Sequence, residues 1–116
     1  YVVDADQSLI ESIGAGFTRG ITISAPGFYG PQGRRLRLEP FDIELNDRIT
    51  AFQVAGQKVT NYEMESSAIY GLSKLLNHRA LTLCVVIGNR VTGEFLNDYK
   101  PAINDLARKV LDGLSL

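Results

Sequence analysis

The stretch "KVTNYEMESSAIYGLSKLL", residues 58–76, changes its hydrophobic pattern halfway along. Its first part, KVTNYE, is rich in β-branched and aromatic residues and is typical of a strand. From Met64 to Leu72 the apolar residues instead recur at helical spacing. A strand that leads directly into a helix is a building unit of α/β proteins. Two carboxylates, Glu63 and Glu65, lie where the pattern changes.

The remaining segments continue this alternation of helices and strands. The patterns first predict a helix over residues 6–13, with Ser8 and Glu11 as a capping box, and then a strand over residues 18–25. A helix capped by Asn46 or Asp47 is predicted to pass through Phe52 and Val54 to Gly56, before the strand and helix of residues 58–76. The last two predicted elements are a strand over residues 80–88, buried on both faces, and a helix over residues 101–114. We therefore expect an α/β fold with a mixed central sheet flanked by helices.

Length and composition narrow the class of protein. A chain of 116 residues with 45% hydrophobic content is large enough for one domain with a real core. A net charge of -1 argues against a nucleic-acid partner, and no apolar run reaches the roughly 18 residues of a membrane span. One cysteine cannot form an internal disulfide, which favours a reducing cytoplasm. The abrupt, strand-like opening at Tyr1 suggests a piece of a longer protein.

Ligands of α/β sheets collect where strands end, so the loops after residues 25, 62 and 88 are the candidate site. We expect these three loops to converge on one cavity. The first, "GFYGPQGRR", combines aromatic surface, flexible glycines, the paired donor and acceptor of Gln32 and the charged fork of Arg34. This set suits a planar heterocycle. The alternative interpretation is a surface turn with a solvated arginine.

The second loop carries the two carboxylates, Glu63 and Glu65. A helix N-terminus favours carboxylates, which explains one of them without any ligand. A carboxylate can also accept from both hydroxyls of a ribose diol, and Met64 offers an apolar contact for the sugar. The third loop places Asn89 and Arg90 at a strand end, where any exit loop is also polar.

Other reactive side chains give weaker signals. His78 is the only histidine, so no histidine pair exists for a metal site, and we expect no metal. Cys84 lies in the apolar run, where we expect an inert core thiol. No phosphate-binding loop of the Walker type is present.

Taken together, "GITISAPGFYGPQGR", "NYEMES" and "VIGNR" resemble the carboxyl-terminal part of the nucleoside phosphorylase superfamily, of the uridine phosphorylase type. The resemblance covers residues 21–94. It implies that residues 1–116 are the carboxyl-terminal part of a single nucleoside phosphorylase domain, with an incomplete phosphorylase/hydrolase-like fold. The implied activity is phosphorolysis of uridine to uracil and ribose 1-phosphate, with phosphate as co-substrate and no cofactor.

The resemblance also implies roles for individual residues. Arg34, Glu65 and Arg90 would be catalytic, since an arginine at the base edge stabilises the negative charge that develops on the departing base. The substrate-binding residues would be Phe28, Gln32, Arg34, Glu63, Met64, Glu65, Ile87 and Arg90. Gln32 and Arg34 would bind the uracil edge, and Glu65 the ribose hydroxyls.

The chain also departs from the resemblance. Nothing in it corresponds to the amino-terminal half that holds phosphate, so we expect this chain alone to be inactive. Gly88 and the order "GPQG" put the base preference in doubt, whereas the lack of an aspartate near Asn89 favours a pyrimidine. A non-catalytic nucleoside-binding domain and a purine phosphorylase or nucleosidase are the alternatives. The family forms dimer-based hexamers, so we expect a homo-oligomer of the complete protein.

Overall fold

A computed structural model of the chain describes residues 1–114. Residues 18–72 form one compact unit, and residues 1–17 form a second with the chain from residue 73 onward. Within residues 1–114 there are four α-helices: α1 (Gln7–Ser12), α2 (Leu45–Ala51), α3 (Ser66–Leu75) and α4 (Lys100–Leu114). Three strands are present among the described residues: β1 (Ile21–Ser24), β2 (Gln53–Val54) and β3 (Gln57–Glu63). A short 3₁₀ turn spans Gly30–Gln32.

The strands form one mixed sheet in the order β1-β3-β2. β1 runs parallel to β3, with Ser24 opposite Glu63, whereas β2 runs antiparallel to β3. The two-residue turn between β2 and β3 has positive φ at both Ala55 and Gly56, which matches the twist of a tight hairpin. The expected α/β fold with a mixed sheet and helices is confirmed.

The helix predicted to run through Val54 to Gly56 is shorter in the structure. It ends at Ala51, and Gln53 and Val54 pair with β3, because Gly56 forms the hairpin turn and does not terminate a helix. Neither Asn46 nor Asp47 caps the helix. The N-cap position is Glu44, without a side-chain hydrogen bond, and Asn46 lies inside the helix.

In the other unit, α1 begins as predicted but has a different cap. The Asp6 carboxylate accepts from the Leu9 N–H at 3.0 Å, so Asp6 and not Ser8 is the N-cap. The Ser8 hydroxyl and the Leu9 amide both donate to this carboxylate and lower the pKa of Asp6. Gly113 of α4 lies close to the backbone of Ser12 and Ile13, where a Cβ would already be in contact.

The strand predicted over residues 80–88 is absent, which corrects both the strand and its burial. Residues 80–87 have no strand pairing, and a single bridge joins Gly88 to Phe95. Cys84, expected in the core, is exposed. The physical reason is that a strand needs a hydrogen-bonded neighbour, and all three described strands belong to residues 18–72.

The interior of the described chain is small, although a chain of 116 residues is long enough to form a real core. Ala25 is the one buried hydrophobic residue among those described, at 6% exposure. Large apolar side chains of α3, such as Ile69 and Leu72, are more than half exposed. No helix within residues 1–114 has the length and apolar character that crossing a membrane requires.

Candidate functional site

Parallel pairing brings two of the three predicted loops to the same edge of the sheet. The Ala25 N–H donates to the Glu63 carbonyl at 2.9 Å, which extends the β1–β3 ladder to the last residue of β3. The chain then leaves β1 into the loop of residues 26–34 and leaves β3 toward Met64 and α3. The loops after residues 25 and 62 therefore start side by side, as the sequence predicts.

The loop of residues 27–34, which we name the aromatic loop, is folded on itself. The Gly33 N–H donates to the Gly30 carbonyl at 2.8 Å, and the Arg34 N–H donates to the Tyr29 carbonyl at 3.0 Å. Gly33 takes a left-handed φ of 64°, which glycine adopts without strain. This tight turn leaves Gln32 only 3% exposed, so its amide is withdrawn from solvent in the described chain.

Within the aromatic loop, Arg34 and Phe28 lie against each other. The Arg34 guanidinium lies 4.0 Å from the centroid of the Phe28 ring, and the Arg34 Nε–H donates to the Phe28 carbonyl at 2.9 Å. Phe28 also contacts the edge of Tyr29, at a centroid distance of 5.2 Å. A cation held over an aromatic face and anchored by a backbone bond is restricted in direction. Arg34 and Phe28, both predicted to bind the substrate, are thus adjacent.

The two carboxylates after β3 make different contacts. Glu63 accepts from the N–H groups of Glu65 and Ser66, at 2.7 and 2.6 Å, and from the Ser66 hydroxyl. Burial raises the pKa of Glu63, but these hydrogen bonds and one from the Ser24 hydroxyl together outweigh it and lower the pKa. Glu63 therefore caps α3, which is the ligand-independent role that the sequence offered for one carboxylate.

Glu65 and Met64 are neighbouring exposed residues between β3 and α3. Both are exposed, Met64 at 37%, and the Met64 N–H donates to a Glu65 carboxylate oxygen at 3.2 Å. Since Glu63 already serves as the cap, Glu65 is the carboxylate with room for a further acceptor role. Contact of either carboxylate, or of Met64, with a sugar stays a prediction.

The third predicted loop lies in the other unit. Ile87 accepts a backbone bond from the Leu96 N–H at 2.7 Å, and the Asn89 side chain accepts from the N–H groups of Val91 and Thr92. Asn89 therefore shapes the turn in which Arg90, itself exposed, is located. The contribution of Ile87 and Arg90 to a base pocket stays a prediction.

Two open hollows accompany these loops, one in each unit. The first, of about 320 Å³, contains Arg34 and Tyr29 together with Gly30 and residues 36–40. The second, of about 280 Å³, contains Ile87 and also Phe95. Neither hollow includes Gln32, Met64 or Glu65. The predicted convergence of three loops on one cavity therefore remains a prediction.

Three contributors to this edge were missed by the sequence patterns. Ser24 and Ser66 hold the Glu63 carboxylate, and Asn46 contacts the aromatic loop through Gly33. Only Ser66 carries a signal, since serine at a helix start favours capping. Within residues 1–114, no group of three or more histidine, cysteine, aspartate or glutamate side chains is arranged to hold a metal ion.

The fold and these side chains define an α/β chain with polar loops at the carboxyl ends of parallel strands, an arrangement that binds small molecules in many proteins. The chain is 38% identical, over 85 residues, to uridine phosphorylase of Thermococcus kodakarensis. The matched part is 73% of this chain, which spans only 30% of the length of that relative. No protein-family profile and no solved structure matches the chain. The partial similarity favours a nucleoside phosphorylase-like protein.

Proposed function

We propose that this chain is the base- and ribose-binding part of a pyrimidine nucleoside phosphorylase that acts on uridine. The observation that carries the proposal is the parallel β1–β3 pairing, because it starts the aromatic loop and the Glu63–Glu65 segment at one sheet edge. A ligand at that edge would contact the predicted base-binding residues, which follow β1, and the predicted ribose-binding residues, which follow β3. The partial similarity to a uridine phosphorylase supports the same choice.

In the proposed reaction, an oxygen of phosphate forms a bond to C1′ of the ribose while the C1′–N1 bond breaks. The electron pair of the broken bond leaves with uracil, which then takes up a proton. Positive charge develops on the sugar and negative charge on the base. Arg34 and Arg90 would stabilise the base oxygens, and Glu65 would bind the 2′ and 3′ hydroxyls.

The remaining residues would hold the substrate in place. Gln32 would read the uracil edge, while Phe28 and Ile87 would pack on the base and Met64 on the sugar. The Phe28 ring offers a flat apolar surface, and the Arg34 guanidinium held over it offers charged N–H donors. This pair suits a planar ring with carbonyl oxygens. The complete protein would work in the cytoplasm as a homo-oligomer, as a dimer-based hexamer, with nucleoside and phosphate as its partners.

The decisive experiment measures uracil release from uridine by the complete protein, with and without inorganic phosphate. Phosphorolysis requires that uracil and ribose 1-phosphate form in equal amounts and only when phosphate is present. Equal rates without phosphate would refute phosphorolysis and indicate a hydrolytic nucleosidase. Uridine binding by calorimetry without any turnover under either condition would indicate a nucleoside-binding domain. Faster cleavage of inosine than of uridine would contradict the pyrimidine preference.

A further inference from the structure

Asn46 joins the aromatic loop to the central strand. Its side-chain N–H donates to the Gly33 carbonyl at 2.9 Å, and its side-chain oxygen accepts from the Tyr62 hydroxyl at 3.3 Å. Both bonds are partly buried. One amide side chain on α2 therefore contacts both segments that meet at the sheet edge, although helix capping was the role that the sequence suggested for it.

The contact with Gly33 is close as well as hydrogen-bonded. A Cβ built on Gly33 would lie only 2.8 Å from the Asn46 side-chain nitrogen, so the amide packs directly against the glycine backbone. Gly33 lies between Gln32 and Arg34, the two residues proposed to read the base edge. Any rotation of the Gly33 peptide would therefore displace the proposed base-reading residues.

The peptide between Gly33 and Arg34 is held at both of its polar ends. Its carbonyl accepts from Asn46, and its N–H, that of Arg34, donates to the Tyr29 carbonyl at 3.0 Å. A planar peptide with both ends fixed cannot turn about its axis without breaking one bond. This orientation sets the backbone from which the Arg34 side chain extends over Phe28.

The Asn46 side chain is also hydrogen-bonded to the residue that precedes the predicted ribose-binding residues 63–65. Tyr62 lies on β3 immediately before Glu63, whereas Met64 and Glu65 follow the strand, and the Tyr62 hydroxyl donates to Asn46. We propose that Asn46 is a positioning residue. It holds the aromatic loop, which would contact the base, in a fixed position relative to residues 63–65, which would contact the ribose. This inference rests on the proposed function. It assigns a specificity role to a residue that would touch neither base nor sugar.

The test uses three variants of the full chain. Asn46→Asp removes the donor to Gly33 and keeps an acceptor for Tyr62, whereas Tyr62→Phe removes the hydroxyl and keeps the Asn46–Gly33 bond. Asp47→Asn is the matched control, since it changes one exposed side chain on the same helix. Calorimetry measures the Kd of uridine and of N3-methyluridine, in which a methyl group blocks the base edge. Hydrogen exchange reports on the amides of residues 32–34.

We expect wild type to prefer uridine. Asn46→Asp should reduce that preference about tenfold, as loss of one oriented hydrogen bond would do, with a smaller reduction for Tyr62→Phe and none for Asp47→Asn. Exchange at residues 32–34 should accelerate about tenfold in Asn46→Asp. A merely structural role would weaken binding of both nucleosides alike and leave their ratio unchanged.

Three results would overturn the proposal. If exchange and preference both stay at wild-type values in Asn46→Asp, Asn46 does not orient the loop. If wild type binds neither nucleoside, the proposed function fails and the substrate role of Asn46 fails with it. Faster exchange in Asn46→Asp would then show only that Asn46 orders the loop. Binding by wild type with an unchanged ratio in Asn46→Asp rejects the positioning role alone.

Discussion

Strands were predicted at the sheet edge of residues 18–72, from β-branched residues, and over residues 80–88, from a continuous apolar run, and the two regions differ in the structure. At the edge, β1 and β3 pair in parallel and fix the loops that follow them. In the other segment, residues 80–87 form no strand, and a turn follows between Gly88 and Phe95. A pattern indicates that a segment can form a strand, but a partner strand decides whether it does.

The difference also separates two ways of positioning a side chain. Arg34 is held by a backbone bond, by the Phe28 ring and by a peptide anchored at both ends. The turn around Asn89 depends instead on a few local hydrogen bonds. We therefore expect changes at the sheet edge to have larger consequences than changes in the turn.

The largest effect is expected for Arg34→Ala. It removes the charge proposed to stabilise the departing base and also exposes Phe28, so the rate of uracil release should fall on the order of 100-fold. Arg35→Ala is the matched control, because Arg35 is the neighbouring arginine, its side chain is 73% exposed and its ion-pair partner is Glu39. Steady-state measurement of kcat/KM for uridine in phosphate buffer, with both substitutions made in the complete protein, checks the two variants.

Equal losses of kcat/KM in the two arginine variants would contradict the inference that the anchored position of Arg34 matters. Such a result would mean that the loop needs positive charge in general and does not depend on the held position of Arg34. A loss confined to Arg34→Ala would separate an anchored guanidinium from a solvated one.

Sequence patterns predicted the sheet edge better than the rest of the chain. Helical spacing and β-branched runs are local signals, so β1, β3, α3 and α4 could be predicted from the residues alone. The parallel pairing of β1 with β3 was left open by the prediction of a mixed sheet and comes from the structure, where the crossover between the two strands contains a helix. The loops after residues 25 and 62 start next to each other as a consequence of that pairing.

The errors have a common physical cause. The pattern around Phe52 and Val54 fits either a helix or a strand, and pairing with β3 decided it. Asn46 has the chemistry of a cap, but its amide is taken by Gly33 and Tyr62, which lie 13 and 16 residues away in the chain. Residues 80–87 are apolar enough for a strand yet are not part of a strand ladder in the structure. In each case a distant hydrogen-bonding partner, present or missing, overrode the local signal.

A second prediction concerns the two carboxylates at the edge. Glu63→Gln should lower the free energy of unfolding by about 1 kcal/mol at pH 7, because it weakens the cap of α3. Glu65→Gln is the control, since it removes the same charge and leaves the hydrogen bonds to Glu63 in place. Urea titration followed by circular dichroism measures both. A larger loss in Glu65→Gln would contradict the division of roles.

The pH dependence of the unfolding free energy provides a further test of the role of Glu63. The pKa of Glu63 is lowered in the folded chain, so its contribution to stability is present above the ordinary glutamate value of about 4.3. That contribution is lost as the pH falls from there through the lowered pKa of the folded state. The stability difference between wild type and Glu63→Gln should therefore shrink in acid. A difference that grows as the pH falls would show that Glu63 is not held as a carboxylate.

The smallest effect is expected in the turn of the other unit. Asn89→Ala removes the acceptor for the N–H groups of Val91 and Thr92, and so should accelerate hydrogen exchange at these two amides about fivefold. Asn89→Asp keeps an acceptor oxygen and should exchange like wild type. The unfolding free energy should change little in either variant, because the bonds are local and exposed. If Asn89→Ala instead destabilises the whole chain as much as Glu63→Gln does, the turn is coupled to global folding, and the contrast between the two regions is wrong.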